Sequence, residues 1–254
     1  MTQTPIKHKK KTTHILSQFF TEEPHIIEIG VDEAGRGPMF GRVYAAATIL
    51  PKTDDPTIFN HKLLKDSKLF GKSKKAQKEL MEAYEQVKTK AIAYSVAYED
   101  EKVVDQVNIL RATQSAMSRA IKNVLTQIPD INYDNVLLLI DGNYFSPTLI
   151  FNTHSLKPIR YETIEGGDNK YTCIAGASIL AKVERDEYIS ALCATYPLLD
   201  QRYGLLSNKG YGAKIHMDGI RQYGITQWHR RTFGINKTAV SAVLEEINET
   251  NIII

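Results

Sequence analysis

No apolar run in this 254-residue chain approaches the roughly 20 residues that a membrane-spanning helix needs. The N-terminus is polar and basic, without the apolar centre of a secretory signal. Cysteine is scarce: Cys173 and Cys193 both sit in apolar, helical-looking sequence. Such usage argues against a disulfide framework or a thiolate metal site and suits a reducing compartment, cytoplasmic or, in a eukaryote, nuclear. Excess charge is also missing, with 32 basic against 29 acidic residues and a net charge of +3. Four lysines (Lys7, Lys9, Lys10, Lys11) against Glu22 and Glu23 supply +2 of that within residues 1–23. The remainder is nearly neutral, so any nucleic-acid surface must come from local clustering of positive charge. There is no internal repeat and no low-complexity tract. What is present is apolar material for a sizeable core, 43 % of the chain.

The stretch that organises the rest is residues 25–50. The run from Ile26 to Val31 reads as a buried strand and delivers two adjacent carboxylates, Asp32 and Glu33. A turn poor in side chains follows, Ala34-Gly35-Arg36-Gly37-Pro38, and residues 43–50 read as the partner strand of a hairpin. Neighbouring strand residues point to opposite faces. Asp32 and Glu33 therefore converge only if the strand ends or twists there, which the glycines allow. Two anions held together require a cation or a proton between them. The reading is a divalent-metal site beside a loop that can touch a polymer; the plainer alternative is a strand ending in two solvated acids.

Residues 62–69 lead into a Lys-rich helix over residues 73–87. Ser67 and Lys68 lie just ahead of it, where hydroxyl, ammonium and free helix N–H groups make a phosphate seat, or else a solvated loop. Residues 91–97 read as a third strand, and residues 107–125 carry helical spacing. The run at residues 135–140 reads as a central buried strand ending at Asp141, where open α/β sheets place their ligands; an ordinary Asp-Gly turn is the alternative. Residues 157–163 read as a further strand. Asp168 then precedes a long helix over residues 172–193, where it is either a site carboxylate or a helix-capping acid. Lys182, Arg185 and Asp186 are placed on the polar side of that helix. Tyr211, bracketed by glycines and followed by Lys214 and His216, either stacks on a sugar or base or packs on the core. Residues 227–233 read as added positive charge, and residues 238–247 as a short amphipathic helix.

Taken together, GVDEAGRGP, KDSKL, LIDGN, GGD before ASILAKVERD, NKGYGAKIH and WHRRTF resemble the ordered blocks of the ribonuclease HII (type 2 ribonuclease H) family. The match runs from about Ile26 to Phe233. Ribonuclease HIII is a relative that usually carries an extra N-terminal domain, which twenty-odd residues cannot form. The resemblance implies an α/β ribonuclease H-like fold: a mixed five-stranded sheet flanked by helices, with a helical C-terminal extension. Residues 1–24, rich in Thr and Lys and without a sustained apolar period, read as a flexible basic extension; the resemblance makes residues 25–198 a catalytic core and residues 199–254 a substrate-binding extension. It implies that Asp32, Glu33, Asp141 and Asp168 hold two Mg²⁺ or Mn²⁺ ions. It further implies that Gly35, Arg36 and Gly37 sense the ribose 2′-hydroxyl, that Tyr211 packs at the ribonucleotide–deoxyribonucleotide junction, and that Ser67, Lys68 and Lys182 contact phosphates. Oxygen-only ligands favour Mg²⁺ or Mn²⁺ over Zn²⁺.

The implied activity is hydrolysis of RNA in RNA–DNA hybrids and cutting 5′ of single ribonucleotides in duplex DNA, as in ribonucleotide and primer removal. The implied partner is nucleic acid, with no membrane and a single active chain. Two departures bear on substrate affinity: Gly166 stands where the family often has Lys, and Lys68 is followed by Leu69 where a second lysine is usual. Rival readings are a junction resolvase or integrase of the same fold, a non-catalytic hybrid-binding module, and a non-nuclease α/β protein. The first would lack the glycine loop and Tyr211, and the second would have lost a carboxylate.

Residues 13–20 also resemble the short peptide that docks on the eukaryotic and archaeal type of DNA sliding clamp. Leu16, Phe19 and Phe20 have its spacing, which places them on one face of a helical turn, although Thr13 stands in place of the usual Gln. The alternative is a turn whose apolar side chains pack on the domain.

Overall fold

The computed structural model describes residues 15–152 and 155–241. Strand β1 (Ile27–Ala34) is flanked by β2 (Val43–Ile49) and β4 (Val136–Asp141), with β3 (Ala93–Glu99) and β7 (Arg160–Ile164) at the edges. The order β3-β2-β1-β4-β7 makes a mixed sheet: β1 pairs antiparallel to β2 and parallel to β4, and β4 parallel to β7. Helices α1 (Lys74–Lys90) and α4 (Thr172–Thr195) cover one face. Helix α3 (Ile109–Leu125) covers the other, burying Ala116, Met117, Ala120, Ile121 and Val124 against Ile29, Val31 and Ile140. This is the ribonuclease H-like α/β architecture expected from the sequence.

Local chemistry explains where the elements break. The helix expected over residues 107–125 is two, because Asn108 adopts φ 69° between α2 (Glu101–Val107) and α3 and its side chain accepts from the Arg111 N–H. An asparagine side chain is among the best N-caps. The strand expected over residues 157–163 is also two. Pro158 has no N–H to continue a ladder and ends β6 (Ser155–Pro158), which pairs only with β5 (Leu149–Asn152); β7 then joins the main sheet.

Helix α4 lies directly on β1. A Cβ built on Gly30 would stand 2.2 Å from the backbone carbon of Cys173, so only glycine permits this approach. The Thr48 hydroxyl donates to the Cys173 carbonyl at 2.8 Å and fixes the register. Both cysteines are free and buried in α4. Past α4, the short helices α5 (Leu198–Tyr203), α6 (Leu205–Asn208) and α7 (Lys214–Tyr223) form a satellite core with Phe40, Ile189 and Cys193.

Two expectations are corrected at the ends. Residues 15–24 are not a free extension: Leu16 is buried in the α1–α4 core, and the Ser17 N–H donates to the Lys170 carbonyl. The helix expected over residues 238–247 does not begin at Thr238, which instead ends a 3₁₀ turn; Ala239 is extended, and residues 242–247 lie outside the described residues. No described helix is long and apolar enough to cross a membrane.

Candidate active site

Parallel pairing puts two acids side by side. Val31 of β1 is opposite Ile140 of β4, so Asp32 and Asp141 are one step further along at the same sheet end. Asp168 arrives from a 3₁₀ turn, Gly167–Asn169, just ahead of α4. One oxygen from each of these aspartates lies within 4.8 Å of the others. The turn is tied down directly: the Gly167 N–H donates to Asp141 Oδ1 at 2.7 Å. Glu33 lines the same cleft with its carboxylate paired with Arg36 at 3.1 Å, and it is not one of the three acids that converge within 4.8 Å.

The electrostatics are those of an acid cluster short of positive charge. Burial, then the charges of Glu33 and Asp141, pushes the Asp32 carboxyl well above the usual range. Asp168 is raised by burial and by Asp141 and Asp66, against Lys68. Glu33 is raised by burial, opposed by the Arg36 side chain. Lys68 Nζ stands 3.4 Å from Asp168 Oδ2 and is the trio's nearest cation among the described residues. A buried, mutually repelling, all-oxygen donor set fits a hard divalent cation.

The cleft brings together Gly35, Arg36, Gly37, Ser67, Lys68, Lys182 and Tyr211. Tyr211 is 52 % exposed and stands over Gly37, whose added Cβ would lie 3.4 Å from its ring, so it is not a core tyrosine. Lys182 is paired with Asp186 at 2.6 Å. Ser67 does not sit at the N-terminus of α1. Ser73 caps that helix by accepting from the Ala76 N–H, whereas the buried Ser67 hydroxyl meets Ser178 of α4 at 3.0 Å.

Two arginines expected at the surface are buried. Arg185 donates to the carbonyls of Phe40, Arg42 and Lys209. Arg230 is 0 % exposed, so residues 227–233 add less surface charge than their sequence suggests. Ser178, whose hydroxyl favours the charged form of Asp32, and Asp66, which accepts from Asn169 Nδ2 at 3.0 Å and from the Lys68 N–H, were not anticipated. The one signal for Arg185 was its place in a helix apolar on nearly every side.

A chain of two imidazoles backs Tyr211. His216 Nδ1 is 2.9 Å from the Tyr211 carbonyl and must donate to it. Its Nε2 therefore accepts, and His229 Nε2–H, at 3.1 Å, must donate. His229 Nδ1 is then free to accept from the Thr226 N–H at 3.0 Å. Burial lowers the pKa of both, and His216 lowers His229 further, so both are held neutral.

The motif Leu16, Phe19, Phe20 does not form a helical turn. Ser17 bridges to Tyr171, Leu16 is buried, Phe19 is half-buried, and Phe20, 41 % exposed, leans on the Tyr171 ring at 5.5 Å. Thr13 and Lys7 to Lys11 lie outside the described residues.

Comparison with known proteins agrees with this architecture. The family model described as Ribonuclease HII matches residues 29–236. A Ribonuclease HII of Parabacteroides distasonis is 40 % identical over 207 residues, spanning 82 % of this chain and 89 % of its own. The crystal structure of the ribonuclease H2 from Pyrococcus horikoshii superposes with a TM-score of 0.58 at 21 % identity, over 89 % of this chain and 98 % of its own. The Archaeoglobus fulgidus protein of a PCNA:RNase HII complex does so with 0.58 at 18 %, over 87 % and 100 %. The two structural likenesses bear on the fold; the family match across most of the sequence, on a chain whose aspartates converge at one sheet end, makes this protein a member of the ribonuclease HII family of RNA-hydrolysing enzymes.

Proposed function

We propose that the enzyme, an endoribonuclease of RNA–DNA hybrids by its family, also cuts 5′ of single ribonucleotides embedded in duplex DNA. The observation that carries this is the placement of Tyr211 directly over Gly37, in the cleft that Asp32 and Asp141 line. A planar ring and an open amide loop are then presented together to one sugar and its neighbour. The 2′-hydroxyl is the group that separates RNA from DNA at such a site.

Asp32, Asp141 and Asp168, with Glu33 once released from Arg36, would hold two Mg²⁺ or Mn²⁺ ions. Divalent ions bound there would supply activation of a water and offset charge on the leaving 3′-oxygen. The chain's own part is to hold Asp141 and the turn bearing Asp168 together through the Gly167 N–H, and to set phosphates with Lys68 and Lys182. Products carry 5′-phosphate and 3′-hydroxyl ends. The test is cleavage of duplex DNA containing one ribonucleotide, in Mg²⁺. A single cut on its 5′ side is expected; cutting of long hybrid alone would reject the junction reading.

Clamp docking through Leu16, Phe19 and Phe20 is supported by spacing and by the exposure of Phe20, and opposed by the burial of Leu16. Freeing a buried leucine costs about 2–4 kcal/mol, which is about 30-fold to 1,000-fold in affinity. A peptide of residues 7–24 should therefore bind a sliding clamp more tightly than the folded chain, through Phe19 and Phe20. No binding by the peptide removes this reading.

A further inference from the structure

Arg230 lies on neither the metal cluster nor the open face of the cleft, yet its side chain is the most heavily committed in this part of the molecule. It is wholly buried. Its Nε donates to the Gly41 carbonyl at 2.8 Å. One terminal nitrogen donates to the Arg36 and Pro38 carbonyls at 3.1 and 2.8 Å. The other donates to the Gly35 carbonyl at 2.7 Å. All four acceptors belong to residues 35–41, and among the described residues no carboxylate pairs with it. A guanidinium is a planar, permanently charged fork with five donors at fixed angles. Burying one without a counter-ion is costly unless its donors find acceptors, and four of them do here.

The loop it holds has little shape of its own. Gly35 and Gly41 have φ 90° and 77°, and Gly35 and Gly37 carry no side chain to anchor them. With four carbonyls drawn inward, the Arg36 and Gly37 N–H groups have no backbone acceptor among the described residues. Pro38 has no N–H at all. Asn236 closes the bracket by donating to both the Met39 and Arg230 carbonyls at 2.9 Å.

We infer that Arg230 is a positioning residue for the reaction: by gathering the carbonyls of Gly35, Arg36, Pro38 and Gly41 onto one buried guanidinium, it turns the amides of Arg36 and Gly37 outward to read the ribose. This rests on the reading of residues 35–37 as the sugar-reading loop. Arg230 touches no substrate and acts only through that loop. Lysine supplies charge but not the fork, so Arg230→Lys should release the loop and leave the phosphate contacts of Lys68 and Lys182 untouched.

The test uses the full chain, as wild type, Arg230→Lys and Arg230→Gln, each assayed below its own melting temperature. On an RNA–DNA hybrid in Mg²⁺, kcat should fall about tenfold to a hundredfold, as expected for small misplacement of reacting groups, while KM stays within about twofold. Amide hydrogen exchange should rise over residues 35–41 and not in β1 or α4. Wild-type kcat and unchanged exchange in a folded variant would overturn the inference. So would a loss of stability with kcat unaltered, which is what a purely structural arginine gives. Should neither variant fold, the wild-type protein decides: hybrid added in Ca²⁺ should slow exchange at Arg36 and Gly37, and no slowing overturns the inference. Failure of the wild type itself to cut the hybrid would count against the proposed function instead.

Discussion

Asp141 accepts a hydrogen bond from the Gly167 N–H at 2.7 Å, so one carboxylate of the proposed metal site holds the turn that carries another, Asp168. Asparagine keeps the accepting oxygen and loses only the charge. Asp141→Asn should therefore abolish cleavage and leave the fold intact. Because the Asp141 charge raises the carboxyls of Asp32, Glu33 and Asp168, its removal should stabilise the metal-free protein. A relief of about 1 kcal/mol raises Tm by about 2–4 °C at this chain length. Calorimetry in EDTA, beside a cleavage assay in Mg²⁺, checks both halves; near-normal turnover would refute the metal assignment.

Tyr211 is more than half exposed and adds little to the core. Tyr211→Ala should leave Tm within about 1 °C, since surface substitutions usually stay within about 0.5 kcal/mol. Its effect should fall on substrate choice. Cutting at one embedded ribonucleotide should drop about tenfold more than cutting of a long hybrid, consistent with a stacking contribution of about 1–3 kcal/mol. Parallel assays on the two substrates read the ratio, and equal losses would remove the tyrosine from junction sensing.

Three buried histidines are held neutral. Burial lowers His216, His229 and His61, the last with its Nε2–H donated to the Pro51 carbonyl. Unfolded, each takes a proton near pH 6.5. Their contribution to stability is thus fully present above about pH 6.5 and erodes as pH falls toward their depressed folded values, at up to about 1.4 kcal/mol per pH unit for each. The raised carboxyls of Asp32, Glu33 and Asp168 run the other way, because the folded state binds protons there that the unfolded state has shed. NMR of the ring nitrogens separates the two. His216 should be the Nδ1–H tautomer and His229 the Nε2–H tautomer, both still neutral at pH 6; a charged His229 at that pH would refute the donor order.

Gly30→Ala should be among the costliest single-methyl additions in the chain. Its Cβ would meet backbone atoms of Cys173 and Ile174 at 2.2–2.5 Å, and backbone cannot rotate away. Overpacking of this kind costs about 1–3 kcal/mol. Because α4 must lift from β1, Asp168 moves away from Asp32, and activity at a temperature where the variant is folded should fall as well. A denaturant titration with a hybrid-cleavage assay tests the pair; unaltered kcat would show that the turn bearing Asp168 is independent of the helix seat.

Much of the candidate site was legible because its chemistry is local. Asp32 and Glu33 sit at a strand end before a glycine turn, Asp141 ends an apolar run, and Asp168 precedes a helix. What was not legible depends on burial set by distant segments. Arg185 and Arg230 have the letters of surface cations, and only the packing of α4 and of residues 226–236 against the loop at residues 35–41 takes them out of water. Ser67 reads as an anion seat because sequence proximity to α1 hides its pairing with Ser178, 111 residues away. Leu16 has the spacing of a docking peptide, and the same apolar character that suits a partner's groove suits the enzyme's own core.

That seating of Leu16 changes how the chain can be handled. Ser17 gives its N–H to Lys170 and its carbonyl to the Thr172 N–H, the first residue of α4, while the N–H groups of Phe20 and Thr21 bind the buried Glu28 carboxylate at 2.9 Å. Helix α4 has no side-chain cap of its own, so Ser17 does that work from the far end of the sequence. Trimming the N-terminus through residue 20, or crowding it with an affinity tag fused close to Ser17, is thus an intervention two to four residues from Asp168. A preparation made that way reports on an enzyme whose Asp168 turn has lost its clasp.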